Sequence, residues 1–182
     1  MLPHRTRKSR LPRFCYNFAA MTFYSIGHSN AEIDAFLDLL KLHGIEKLVD
    51  TRSQPYSRYS PHFNREALKC ALVGAKVDYI FMGDTIGGRP EGEYYFGDGK
   101  PDYDRMAEAA AYLSGIDQLI ELGDQARVAF MCSEADFKKC HRYKLITRTL
   151  VNRGIEIHHI LHSGELVSSS RSEFEPAQMS LY

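Results

Sequence analysis

Cys132-Ser133-Glu134 and Cys140-His141-Arg142 hold the residue types of this chain best suited to covalent chemistry. A thiol attacks or ligates as its thiolate, a form favoured by nearby cations and by a helix N-terminus. Cys140 is expected near the first turns of a helix, with His141 and Arg142 beside it. Three chemistries suit the segment: Cys132 as a nucleophile, Cys132 with Cys140 as a redox pair, or both cysteines with His141 as metal ligands. Each meets a difficulty. The loop after Cys132 carries Glu134 and Asp136 and reaches no arginine before Arg142, so it repels the anions that phosphate- and sulfur-transfer loops hold. The C-x7-C-H spacing is no usual zinc pattern, and a metal would need His28 or His158 as well. Disulfide reactivity more often accompanies C-x-x-C. A purely structural reading buries Cys132 and pairs Glu134 with Arg142.

Other reactive residues fall at intervals that suggest one composite site. His28 offers acid–base chemistry, or simply a bond to a backbone carbonyl. Ser29 is read as a helix cap, because Glu32 completes an S-x-x-E box. Asp50 and Arg52 share a face of their strand; they form an ion pair, or Arg52 reaches a ligand anion with Ser53, Ser57 and Arg58 as further donors. The ligand reading is preferred. Gly87-Gly88-Arg89-Pro90 suits a backbone nest for an anion, although it lacks the Lys-Ser/Thr of a P-loop. The long irregular stretch from Gly83 to Tyr103 reads as a lid, whose Tyr94, Tyr95 and Phe96 either stack on a ligand or pack on the body.

These residues need a scaffold, and the periodicity supplies one. Short apolar runs at Thr22–Gly27, Ile45–Thr51, Lys76–Met82, Arg127–Met131 and Ile155–Leu161 read as strands. Helical spacing occupies Ala31–His43, closed by Gly44, and Asn64 to Leu72, stopped at Gly74. It recurs from Asp104 to Leu122, ended by Gly123, and from the Cys140 region to Asn152, closed by Gly154. Cys70, on the second helix, reads as a small buried hydrophobe. Alternating strands and helices predict a three-layer α/β domain, Rossmann-like or flavodoxin-like, with about five mostly parallel strands and helices on both faces. Ligands of such sheets bind beyond the carboxyl ends of the strands. His28, Arg52, Gly87, Gly88, Arg89 and Cys132 all follow a strand.

Five motifs in order resemble one family. Tyr24-Ser25-Ile26-Gly27-His28-Ser29-Asn30, Leu48-Val49-Asp50-Thr51-Arg52-Ser53-Gln54-Pro55, Ser60-Pro61-His62-Phe63-Asn64, Gly87-Gly88-Arg89-Pro90 and Met131-Cys132-Ser133-Glu134 with Cys140-His141-Arg142 are similar to the domain of unknown function numbered 488. The resemblance spans about residues 22–162. It implies an α/β fold and the Cys-Ser-Glu and Cys-His-Arg signature of that bacterial and archaeal family, and it brings no substrate or mechanism.

Composition sets the remaining bounds. At 44% hydrophobic and 25% charged, the 182 residues suit a single globular domain over 21–162. Formal charge is zero, but residues 1–20 carry five Lys/Arg and no acid, leaving 18 basic against 23 acidic residues beyond them. That basic tail reads as disordered or as an upstream extension ahead of Met21, and residues 163–182 as a polar C-terminal tail. No apolar run reaches the ~18–20 residues of a membrane span, and no signal-peptide core follows the basic stretch, so a cytoplasmic protein without membrane contact is expected. The expected function is an enzyme acting on a phosphate- or nucleotide-containing substrate. Cys132, Glu134 and His28 would do the chemistry, while Arg52, Ser53, Arg58, Gly87, Gly88, Arg89, His141 and Arg142 bind. The alternatives are a non-catalytic nucleic-acid or anionic-ligand module and a metal-binding protein using Cys132, Cys140 and His141. No cofactor and no oligomeric state can be read.

Overall fold

The structure is a computed structural model that describes residues 21–92 and 95–174. The basic tail with Cys15, Tyr94 of the aromatic run, and residues 175–182 lie outside the described residues. The elements in chain order are β1 (Thr22–Gly27), α1 (Ile33–Leu42), β2 (Lys47–Asp50), α2 (Arg65–Ala75), β3 (Asp78–Phe81), α3 (Tyr103–Ala107), α4 (Ala110–Gln125), β4 (Val128–Cys132), α5 (Arg148–Asn152), β5 (Glu156–Ile160) and β6 (Leu166–Ser169). The strands form one sheet in the order β3-β2-β4-β1-β5-β6, parallel throughout except for β6. The three-layer α/β architecture is as the alternation predicts, with a sixth strand added.

The two-residue period of the strands sorts their side chains into two cores. Tyr24, Ile26, Leu48, Ala129 and Met131 face α1 and α2, meeting Phe36, Leu40, Leu68 and Leu72. Phe23, Val49, Val128, Phe130 and Ile157 face the opposite layer, meeting Met106 of α3, Ile116 and Leu119 of α4, and Leu150 of α5. β4 is buried along its whole length, as its apolar sequence predicts, because it lies between β2 and β1. The connection leaving β4 goes to one face of the sheet, and those leaving β1 and β2 go to the other. The crevice this opens beyond the carboxyl end of β4 is where such sheets bind ligands.

Several local expectations are corrected. α1 starts at Ile33 with Glu32 as its N-cap and no side-chain cap bond, so Ser29 caps nothing. Ser29 instead takes φ 47°, turning its N–H to the carbonyl of Ser133 at 2.9 Å. α2 runs past Gly74 to Ala75, and Lys76 takes the left-handed cap position. Cys70 on α2 is exposed. The single helix expected over Asp104–Leu122 is divided into α3 and α4 by Glu108 and Ala109. Gly123 lies inside α4, where a Cβ would overlap the Phe23 ring. The helix before Asn152 is composite: a 3-10 turn at Phe137–Lys139, a π-helical turn at Arg142–Thr147, then α5. The polar stretch after Ser163 returns as β6, antiparallel to β5. No helix of the described residues is long and apolar enough to cross a membrane.

Candidate functional site

Cys132 ends β4, and its backbone is fixed on one side by the continuation of β1. The His28 N–H donates to the Cys132 carbonyl at 3.1 Å, next to the Ser29–Ser133 bond. On the other side the Thr51 N–H donates to the carbonyl of Met131 at 3.1 Å. The chain then folds back through the 3-10 turn, whose cap Asp136 accepts the N–H of Lys138 at 3.0 Å. Phe137 is wedged beneath, its ring stacked on His159 at 3.8 Å between centroids. His159 is itself held by Ser25 Oγ at 2.6 Å and Ser169 Oγ at 3.0 Å, so β1, β5 and β6 all brace this turn.

The turn brings Cys140 over Cys132, their Sγ atoms 3.1 Å apart, both buried and both free thiols. The spacing C-x7-C carries no sign of this contact. Its local cause is the 3-10 turn, which reverses the chain within the intervening residues. Their contact pushes the two thiols in opposite directions. The bond from Cys132 draws the Cys140 thiol down to about 7 against the opposing effect of burial, with help from Arg142 and the backbone N–H groups of Arg142 and Tyr143. The Cys132 thiol is pushed well up, by that same bond and then by burial.

Arg142 is near enough for its charge to lower both thiols, and it is only 1% exposed. One terminal nitrogen donates to the carbonyls of Glu134 and Ala135 at 3.2 and 3.3 Å. Among the described residues, Nε and the other terminal nitrogen have no hydrogen-bond partner, and no carboxylate pairs with the guanidinium. The expected Glu134–Arg142 ion pair is therefore replaced by a bond to the Glu134 backbone. A buried cation calls for an opposite charge. The thiol pair supplies it when Cys140 is ionised. Gly27 makes the arrangement possible, because a Cβ there would overlap the Glu134 carbonyl oxygen.

On the next strand, Asp50 and Arg52 form a buried bidentate pair, Nε to Oδ1 at 2.9 Å and Nη2 to Oδ2 at 2.7 Å. Nη2 also donates to the carbonyl of Phe63 at 2.8 Å, and Nη1 to His28 Nε2 at 3.1 Å. Bonds among the described residues take four of the five guanidinium N–H groups and leave one for a ligand. The ion-pair alternative thus accounts for most of Arg52. His28 gives its Nδ1 proton to the Ser29 carbonyl at 2.8 Å, so both ring nitrogens are engaged. Burial, and then Arg52, lower its pKa to about 4 and keep it neutral.

His141 is likewise neutral, lowered to about 4 chiefly by burial. Its Nε2 lies 3.0 Å from Thr51 Oγ1 and 3.1 Å from the Thr51 carbonyl. The Thr51 hydroxyl proton goes to the Met131 carbonyl at 2.7 Å, so the ring proton sits on Nε2 and Nδ1 is an acceptor. Gly88 packs against this edge, where a Cβ would come within 2.8 Å of Nδ1.

These parts surround a cavity of about 500 Å³ lined by Arg52, Ser53, Gly88, Arg89, Cys132, Glu134, Lys139, Cys140 and His141 among others. A second cavity of about 560 Å³ shares Ser53 and Arg89 and continues over Gly87, Pro90, Met106, Ala109 and Tyr112. Arg89, whose N–H donates to Ser53 Oγ at 3.0 Å, stands where they meet. Of the sequence candidates, Glu134 lines the first cavity beside the thiols. His28 and Arg142 stand behind its wall, and Gly87 belongs to the second cavity. Arg58 lines neither and lies over the Tyr59 ring at 5.7 Å. Among the described residues, no group of three or more His, Cys, Asp or Glu is arranged to hold a metal ion. The stretch from Gly83 to Tyr103 is partly ordered by a buried Ile86 and by an antiparallel bridge between Tyr95 and Pro101.

Comparison with curated proteins gives no match, and comparison with solved structures gives none. A family model does match, over residues 32–149, from just before α1 to the start of α5. It takes in the Asp50–Arg52 strand end, the Gly87-Gly88 segment and both cysteines, while the β1 motif with His28 precedes it. On that match, covering more than half of its length, the chain belongs to the family described as Domain of unknown function DUF488.

Proposed function

We propose that this protein is a thiol-dependent enzyme acting on a small phosphate- or nucleotide-containing substrate bound in the cavity above Cys140. The observation that carries the reading is the thiol pair at 3.1 Å beside a buried arginine that has no carboxylate partner among the described residues. Such surroundings favour one thiolate at neutral pH, and a thiolate on a cavity wall is a nucleophile. Cys140 rather than Cys132 takes that role, because Cys132 is the more deeply buried of the two and the bond between the sulfurs pushes its thiol up. Glu134, on the same wall, is the candidate acid–base group. Arg89 and the remaining N–H of Arg52 hold the anionic end, and His141 Nδ1 accepts a hydrogen bond from a hydroxyl or amine of the substrate. The carboxylates of the loop oppose an anion less than the sequence implies. Asp136 caps its turn and pairs with Lys139 at 3.5 Å, which leaves Glu134. Met106, Pro90 and Tyr112 of the second cavity suit an apolar or planar remainder such as a base.

The test has two arms. Iodoacetamide labelling of Cys140, followed by peptide mass, should rise through an apparent pKa near 7, and Arg142→Met should move it towards the free-thiol value of about 8.5. Inorganic phosphate and nucleoside mono- and diphosphates, tried by calorimetry, should include a ligand that slows this labelling. Arg89→Ala should weaken that ligand at least tenfold. An ordinary pKa at Cys140, or a ligand indifferent to Arg89, sinks the reading.

One observation favours a second reading. Tyr56, which lines the first cavity, and nearby Tyr59 are 75% and 86% exposed, with Arg58 over Tyr59. Aromatic faces with a cation suit single-stranded nucleic acid bound without reaction. In that case Tyr59→Ala with Arg58→Ala weakens oligonucleotide binding and flattens its salt dependence, while Cys140→Ser leaves it intact.

A further inference from the structure

We propose that Cys132 and Cys140 form a reversible dithiol–disulfide couple, in which Cys140 is the attacking sulfur and Cys132 the resolving one. The inference rests on the reading of Cys140 as the reactive thiol and goes beyond it, because it gives Cys132 a function and the site a second chemical state.

Three observations carry it. The sulfurs are 3.1 Å apart, whereas a disulfide needs 2.03–2.05 Å, so closure takes about 1 Å of movement. The two cysteines differ in setting, Cys132 being held by neighbouring strands and the Cys140 backbone by bonds within its own turns. Cys132 is tied into the centre of the sheet, with neighbouring strands bonded on both sides. Cys140 sits in extended conformation (φ −116°, ψ 171°) at the joint between the 3-10 and π-helical turns. Finally, Arg142 is buried near the pair with two nitrogens unpartnered among the described residues, so its charge favours the reduced, ionised form over a neutral disulfide. Stabilising the reduced form makes a disulfide easy to reduce. That distinguishes a working couple from a structural crosslink.

The step balances with a low-molecular-weight disulfide RS–SR as oxidant. The Cys140 thiolate attacks one sulfur of RS–SR, whose S–S bond breaks and releases RS⁻, leaving Cys140–S–SR. Cys132 then loses its proton to the departing second RS group as its sulfur attacks Cys140 Sγ. The products are the Cys132–Cys140 disulfide, one RS⁻ and one RSH; two electrons pass from the cysteines to RS–SR. Oxidation withdraws the nucleophile, so the couple switches the proposed activity off, and a dithiol or excess RSH restores it.

The experiment uses the full chain with Cys15→Ser and Cys70→Ser, equilibrated across glutathione redox buffers and quenched with acid. Peptide mass mapping should show a Cys132–Cys140 crosslink that forms and reverses with the buffer. With Cys132→Ser the reaction should stop at a Cys140–glutathione adduct, and Cys140→Ser should give no crosslink and at least tenfold slower adduct formation. Arg142→Met, or the neutral and more polar Arg142→Gln if the first does not fold, should hold the disulfide at least tenfold further into reducing buffers. Folded protein that forms no crosslink at any ratio overturns the couple. So does a Cys132→Ser chain that takes up glutathione no faster than the Cys140→Ser chain. If Cys140 still labels with a pKa near 7 in that case, this inference alone falls; if it does not, the thiol-enzyme reading falls with it.

Discussion

Asp50 and Arg52, two residues apart at the end of β2, close a bidentate ion pair that is 0% and 5% exposed. The Tyr79 hydroxyl donates to the same carboxylate at 2.7 Å, and Arg52 passes a hydrogen bond on to His28. The pair therefore joins β1, β2, β3 and the Phe63 turn at one point. Asp50→Asn leaves a buried guanidinium short of its counter-charge and should cost about 3–5 kcal/mol, the usual loss when one partner of a buried pair is removed. In urea denaturation, Asp50→Leu combined with Arg52→Met should cost less than the two single changes together. Additive losses would mean that the pair is not coupled.

Acid should destabilise the fold early. His28 and His141 are lowered to about 4 and His159 to about 3, in each case chiefly by burial. Unfolded histidine takes its proton near 6.5. Between there and about pH 4 the unfolded chain binds more protons, so stability falls as pH falls. With all three contributing, the slope near pH 5 is about 4 kcal/mol per pH unit. The slope is halved near pH 6.5, and above about pH 7.5 these groups add little pH dependence. Urea midpoints at pH 7, 6 and 5 test this, and a flat profile would contradict neutral burial of the three rings.

Two glycines should respond in opposite directions to the same methyl group. Gly27→Ala drives a Cβ into the Glu134 carbonyl and displaces the cysteine segment. It should cost about 1–3 kcal/mol as overpacking and raise the labelling pKa of Cys140. Gly74, inside α2, has nothing within 4 Å of the point an added methyl would occupy, so Gly74→Ala should stabilise by about 0.5–1 kcal/mol through helix propensity. Thermal melts of the two variants provide the comparison.

Phe137→Ala removes the ring that stacks on His159 and supports the 3-10 turn. A loss of about 3 kcal/mol is expected for a nearly buried phenylalanine. More tellingly, the two sulfurs should part, so that Cys132 and Cys140 titrate independently in labelling against pH. Retention of one low and one high apparent pKa would show that the turn does not depend on this ring.

The sheet is legible in the sequence because its signal is local. Apolar alternation places five strands to within about two residues, and the β4 run declares its central position by having no polar face. The sixth strand is hidden, since Leu166–Ser169 is polar enough to read as tail and is recruited by pairing along the free edge of β5. Ser29 misleads for a related reason. Its capping box is real in sequence, but the chain spends that residue on a left-handed turn that bonds to Ser133. The site is legible as a gathering of strand ends and not as a set of contacts. Spacing alone does not choose between an ion pair and a free ligand donor for Arg52, because both readings put it on the same face. Nor does a nine-residue segment from Cys132 to Cys140 announce that it doubles back. The one hint is Asp136, a turn former placed between them.

The π-helical turn at Arg142–Thr147 has a further consequence. The Thr147 hydroxyl donates to the Arg142 carbonyl five residues back, at 2.8 Å, spanning the widened turn. A π turn is an α-helix holding one residue more than its pitch allows. Deleting a single residue there would relax it to ordinary pitch and rotate everything before it by about 100° about the helix axis. Cys140, His141 and Arg142 would keep their identities and lose their directions. The reactive centre is thus specified partly by arithmetic: the number of residues between Cys140 and Leu150 matters as much as which residues they are.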